Sequence, residues 1–173
     1  MFRWLRSGWL TIWGARPFTV RTPMSVTAAV AALDADRATR WTALGLSSRG
    51  AGFRHVTGSV TADGVRLTSR RPGWNNLFSP VLQARFTPLP DGCELTGSFT
   101  APEPARAFTL AWPALTILWS MCALGASGSL VPVAAGFGMA ALGIVMATTS
   151  ALAGRRDEQH LRSWVNHRLR GAA

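Results

Sequence analysis

The stretch Ala107–Gly154, AFTLAWPALTILWSMCALGASGSLVPVAAGFGMAALGIVMATTSALAG, runs for 48 residues without Asp, Glu, Lys, Arg or His. It breaks once, at Gly125-Ala126-Ser127-Gly128-Ser129. The break leaves a first apolar segment at about 107–124 and a second at about 130–153. A helix needs roughly 20 apolar residues to cross a hydrocarbon core ~30 Å thick, and each segment is of that order. The competing reading is a buried helical hairpin in a water-soluble protein. That requires a domain large enough to enclose two helices apolar on every side, and the plausible soluble domain, residues 18–105, has fewer than ninety residues. The sequence therefore predicts a two-helix transmembrane hairpin within residues 106–154.

The flanks set its expected orientation. Arg106 stands before the first segment, Arg155 and Arg156 stand after the second, and the turn between carries no charge. Excess Arg on cytoplasmic flanks is the usual determinant of sidedness, so both termini are expected in the cytoplasm of a bacterial cell, with the hairpin in its inner membrane. Of 173 residues, eighteen are basic and eight acidic, a net charge of +10. The excess is +4 over residues 1–33, +2 over 34–105, +1 at Arg106 and +3 over 155–173. A nucleic-acid fold would need its basic patch in the nearly balanced middle, so nucleic acid is not an expected partner. All eighteen basic residues are Arg and Tyr is absent, a bias that GC-rich coding produces without any special guanidinium chemistry.

Within the second segment, Gly136, Ala140, Gly143, Ala147 and Ala151 follow spacings of four, three, four and four. They form a flat stripe on one helix face, against which another helix can pack closely in lipid. Trp112 and Trp119 are the expected bulky partners on the first segment, and Pro113 is expected to bend it. The stripe serves either the hairpin itself or a contact with a second copy or another membrane protein. Only Ser and Thr hydroxyls supply polarity in the spans, which argues against an ion or proton path.

Residues 18–105 read as a cytoplasmic α+β domain. Phe18–Thr22 alternates as a short strand, and Ser25 opens a helix to about residue 37 with Val26, Ala29, Val30 and Leu33 on one face. Asp63-Gly64 suits a two-residue hairpin turn, which would oppose Val60 with Leu67 and Ala62 with Val65. A second hairpin pairs 81–87 with 93–100 through a turn at Pro88–Gly92. The expected domain is a small antiparallel sheet with one covering helix. A Pro-rich linker at residues 101–105 would hold it close to the bilayer. Arg66, Arg70 and Arg85 on the polar face are candidate contacts for anionic headgroups or a ligand.

The chain ends are basic and amphipathic. In residues 1–17, Phe2, Leu5, Trp9, Ile12 and Trp13 share an arc; in residues 155–173, Leu161, Trp164, Val165 and Leu169 form a stripe. Either segment suits the membrane interface, and the second also suits a cover for the sheet. His160 and His167 lack a third partner for a metal, and no phosphate-binding, nucleophile-elbow or metalloprotease motif occurs. Asp63 and Asp91 are explained by turns. No catalytic residue, metal or cofactor is expected.

The stretch Trp74-Asn75-Asn76-Leu77-Phe78-Ser79-Pro80 has no period. It resembles an Asn-Ser-Phe-x-Pro segment of uncharacterised small bacterial membrane proteins in which an α+β domain precedes two spans. Asn76, Phe78 and Pro80 match, and Leu77 replaces the Ser. The resemblance extends over residues 18–125, and it implies a membrane-tethered cytoplasmic domain without a known activity. Read from the residues, Asn76 closes a turn, Phe78 anchors the loop and Pro80 starts an edge strand, or Trp74, Asn76, Phe78 and Pro80 form a binding loop. The expected role is a non-enzymatic binding or scaffolding subunit held at the membrane. The alternative is a lipid- or small-ligand-binding domain at the same surface, with or without enzymatic activity.

Overall fold

The computed structural model describes residues 12–35, 55–70 and 77–170, apart from the side chains of Arg70 and Ser127. It is an α+β fold with five strands: β1 (Arg16–Thr22), β2 (His55–Val60), β3 (Val65–Arg70), β4 (Val81–Leu89) and β5 (Gly92–Thr100). Three helices complete it: α1 (Val26–Asp34), α2 (Glu103–Ser127) and α3 (Val131–Arg170). The strands form one antiparallel sheet in the order β1-β5-β4-β3-β2.

Alternation builds one closed face. Phe18 and Val20, Cys93, Leu95 and Phe99, Leu82 and Ala84, Val65 and Leu67, and Val56 all turn inward and are buried. Ser25 caps α1 by accepting from Ala28 N (3.3 Å), and α1 lays Ala29 and Leu33 on that face. A second cover comes from Leu161, Val165 and Leu169 of α3, all fully buried in the same core. The single covering helix expected from the sequence is thus one of two, because α1 spans only nine residues and leaves much of the sheet face open.

Two turns differ from expectation. Between β2 and β3 the loop has four residues, so Val60 opposes Val65 and Gly58 opposes Leu67. Thr61 N donates to Gly64 O (3.0 Å), and Gly64 N donates to Thr61 Oγ1 (3.2 Å). That mutual bonding favours the longer loop over the two-residue turn. The slip is of even parity, so every side chain keeps its face. Between β4 and β5 the turn is the shorter one, Pro90-Asp91 alone, with Leu89 opposite Gly92. Pro80 precedes β4, which lies inside the sheet and not at its edge.

The expected Pro-rich linker contracts to two residues. Pro102 caps α2 and helix begins at Glu103, because a proline in the first helical turn gives up an N–H that has no partner there. α2 stays helical through Pro113 and ends at Gly128, whose φ of 64° suits glycine.

α3 is the largest departure. The expected division at residue 154 between a span and a separate terminal helix is absent: one helix of 40 residues carries both. At ~1.5 Å per residue it is about 60 Å long. Its first part packs along α2, and its last sixteen residues lie across the sheet. Both α2 and α3 are long and apolar enough to cross a membrane. Only 11% of the most apolar window of α2 and 28% of that of α3 is buried, whereas a core helix of a soluble protein is mostly buried. Leu115, Met121, Val131 and Phe137 are among the large apolar side chains exposed on this hairpin.

Candidate functional site

Hairpin packing accounts for the small-residue stripe. Gly136, Ala140, Gly143, Ala147 and Ala151 are all buried. A Cβ at Gly143 would collide with the Trp112 indole, and one at Gly136 with the Ser120 side chain. Trp112 Nε1 also donates to Met139 O (3.1 Å), which ties the two helices together. The stripe is therefore occupied by α2, and a second copy would have to use another face. Trp119 was expected in this seam but is 52% exposed on the outer surface. The seam falls instead on Trp112, Thr116 and Ser120, which follow each other at intervals of four, while Trp119 lies off that line. Thr109, Thr116, Ser120, Thr148 and Thr149 each donate back to a carbonyl of their own helix.

Where the hairpin meets the sheet, a second apolar cluster gathers Ile12, Phe78, Ala101, Ala105, Ala147 and Ala151, with Trp13 at its margin. Ile12 is fully buried here, so the described end of the amphipathic N-terminal segment docks on the hairpin. Arg16 and Pro17, expected within that segment, belong to β1. Phe78 anchors its loop in this cluster, and Pro80 packs near the α3 backbone at Gly154. Of the candidate binding loop, Trp74 and Asn76 lie outside the described residues.

Polar contacts then fix α3 to the sheet. Glu158 is held by Arg16 (Nη1 to Oε2, 2.6 Å) and by Arg162 (Nε to Oε1, 2.9 Å). Ser79 Oγ donates to Asp157 Oδ2 (3.0 Å), and Thr22 Oγ1 to Leu169 O (2.7 Å). His160 is half-buried, with Nδ1 3.2 Å from Ser69 Oγ. His160 and Asp157 stand one helical turn apart on α3, and Asp157 accepts from Ser79. Together these contacts dock α3 on the sheet. No group of three or more metal-ligating side chains occurs among the described residues.

Two arginines at this junction are incompletely partnered. Arg106 Nε, Arg16 Nε and Arg16 Nη2 are shielded from water and make no hydrogen bond. Leaving a buried donor unsatisfied costs about 1–3 kcal/mol, more when it belongs to a charged group. Burial pulls Arg16 below the ordinary arginine pKa, offset in part by Glu158, while nearby Arg155 and Arg162 push it further down. The Arg106 guanidinium lies over the Trp13 ring at 5.9 Å from its centroid.

The opposite face of the sheet is open and polar. Thr19 and Arg21, Thr96 and Ser98, Gln83 and Arg85, and Arg66 and Ser59 alternate with the buried row. Ser98, Gln83, Arg66 and Ser59 form one row across four strands, and Arg85 pairs with Thr96 in the next. Arg66 and Arg85 are diagonal neighbours, which places their Cβ atoms about 7–8 Å apart or less. They line a shallow groove with Ser59, Gln83 and Thr96. Glu94 on this face is engaged by Arg21 at 2.7 Å. Among the described residues neither Arg66 nor Arg85 has an ion-pair partner. Arg70 ends β3 on the hairpin side, and its side chain lies outside the described residues. Sequence pattern identified the two arginines, while their adjacency required the strand pairing.

Comparison with known protein families, with characterised proteins and with solved structures returns no match for this chain.

Proposed function

We propose that this chain is a multi-pass protein of a bacterial inner membrane, with both termini cytoplasmic, that acts as a non-enzymatic binding or scaffolding subunit. The observation that supports this reading most directly is the two-sidedness of the sheet. One face is filled by α1 and by the extension of α3, the candidate second span. The other face is polar and open, and it carries Arg66 and Arg85 side by side with no ion-pair partner for either among the described residues; Asp63 is the one acidic side chain lining the same groove. Two like charges at this spacing repel, and an acidic protein surface laid across the groove would relieve that repulsion. The arginines flanking the apolar helices support the orientation.

Purification of the full chain in mild detergent, followed by mass spectrometry of co-isolated molecules, tests the reading. A stoichiometric acidic protein, lost in R66E/R85E while the variant stays folded, is the expected result. A retained lipid or metabolite lost in the same variant would replace it with the alternative, a ligand-binding domain at the membrane surface. The groove between Arg66 and Arg85 is the observation favouring that second reading.

A further inference from the structure

α3 fixes the direction in which the open face of the sheet looks. Asp157 and Glu158, at its hairpin side, meet Ser79 and Arg16, while the distal Leu169 O accepts from Thr22 Oγ1 (2.7 Å). β1 therefore runs alongside α3 from Arg16 to Thr22, and the strands paired with it follow the same axis. Leu161, Val165 and Leu169 pack on the closed face, so the open face looks at right angles to α3. With α3 crossing the bilayer as proposed above, the sheet stands upright on the membrane. The Arg66–Arg85 face then looks along the bilayer surface rather than down onto it, and the usual tilt of ~20° leaves that unchanged. Height follows from the ladder. Arg66 is linked through Gln83 and Ser98 to Pro17, whose carbonyl accepts from Arg162 (3.1 Å). Arg162 lies eight residues beyond Gly154, about 12 Å along the helix, and Arg85 is two strand residues, about 7 Å, further out. A headgroup layer is about 5–8 Å thick, so both arginines stand clear of it.

The chemistry of the face narrows its occupant. The three strand phenylalanines, Phe18, Phe86 and Phe99, all belong to the closed side, so among the described strand residues no Phe or Trp on the open side offers a stacking platform or an apolar anchor. The groove is shallow and polar, unlike the concave and mostly apolar sites that enclose small metabolites. Arg66 and Arg85 are diagonal neighbours on β3 and β4, with Cβ atoms about 7–8 Å apart or less. In an extended chain, residues two apart share a side at a separation of about 7 Å. Carboxylates at alternate positions of an extended segment therefore match the two guanidinium groups one to one. Asp63, in the distal turn, lines the same groove and repels such a segment at that end.

We propose that this face receives, side-on and above the headgroups, an extended acidic segment of another protein with carboxylates two residues apart. The proposal rests on the membrane reading above and specifies the partner of the Arg66–Arg85 groove. The test places the full chain in phosphatidylcholine nanodiscs and titrates two labelled peptides of equal length and composition, one repeating Glu-Ser and the other repeating Glu-Glu-Ser-Ser. Only the first has glutamates two apart. It is expected to bind about three-fold tighter, and R66Q/R85Q to lower its affinity about ten-fold. R168Q/R170Q, an equal loss of charge at the far end of α3, should change it by less than about two-fold, and D63N should tighten it. Circular dichroism reports the folding of each variant, and the comparison of the two peptides on the parent chain needs no substitution. A nitroxide at Q83C in a C122S background should be reached by an aqueous nickel relaxant and not by lipid-dissolved oxygen, in discs with or without phosphatidylglycerol. Equal affinity for the two peptides, an unchanged affinity in R66Q/R85Q, an equal loss in R168Q/R170Q, weaker binding in D63N, or a nitroxide in contact with lipid overturns the site and leaves the membrane reading in place. A chain that is monodisperse in buffer without detergent or lipid overturns both.

Discussion

A methyl group added at Gly143 would meet the indole of Trp112, and one added at Gly136 would meet Ser120. Gly143→Val is therefore expected to cost about 1–3 kcal/mol by overpacking, read as a lower thermal midpoint in detergent. The double variant Gly143→Val/Trp112→Leu should recover part of the loss, because the smaller side chain vacates the space. Glu158 presents the opposite case, a removal. Glu158→Gln leaves Arg16 and Arg162 without their shared carboxylate, and we expect about 2 kcal/mol of destabilisation, moderated because both arginines keep partial access to water. Cys93 is fully buried, and burial pushes its thiol above the ordinary value of 9.0. The folded state then favours the protonated thiol, so this contribution is complete below pH 9.0 and declines as pH rises through the folded-state pKa. Native protein should accordingly resist alkylation at Cys93 at neutral pH, with labelling only after unfolding.

α3 joins two environments along one continuous backbone, and its phase matters. Gly136 through Ala151 face α2, while Leu161, Val165 and Leu169 face the sheet. Inserting one alanine between Gly154 and Arg155 rotates the second set by about 100° relative to the first. The insertion should turn the three apolar side chains away from the core and bring His160, Trp164 and Arg168 into their places. Limited proteolysis would then cut the sheet domain at protease concentrations that leave the parent chain intact. Leu161→Ala alone should cost about 2–5 kcal/mol, since its side chain is completely buried between helix and sheet. A variant of similar stability to the parent would show that α3 is not a structural cover of the sheet.

For the whole molecule, the sheet and the apolar hairpin share two direct connections, the two-residue step from β5 into α2 and the unbroken α3. Neither leaves slack. With Glu158, Asp157, His160 and Thr22 bonding across the junction, the sheet is held in a fixed relation to the hairpin. A binding event on the Arg66–Arg85 face would be presented at a set height above the bilayer. Reporter fusions at the two ends are expected to be active only in the cytoplasm. An exported C-terminal reporter would reverse the proposed sidedness and leave the packing of the hairpin untouched.

Local pattern was sufficient for the elements that bury one face or no charge. The 48-residue neutral stretch marked both long helices, alternation marked the strands, and small-residue spacing marked the helix contact. Such signals depend on solvent partition and side-chain periodicity, which neighbours in sequence carry. Four features escaped it: the even slip at residues 61–64, the outward turn of Trp119, the continuity of α3 through Gly154, and the pairing of Arg16 with Glu158. Each joins or orients groups by contacts remote in sequence, or by competition between two locally acceptable turns. The amphipathic stripe Leu161–Leu169 announced a helix seeking an apolar surface, but membrane interface and protein sheet satisfy that stripe equally. Tertiary packing chose the sheet because α1 is too short to close that core by itself.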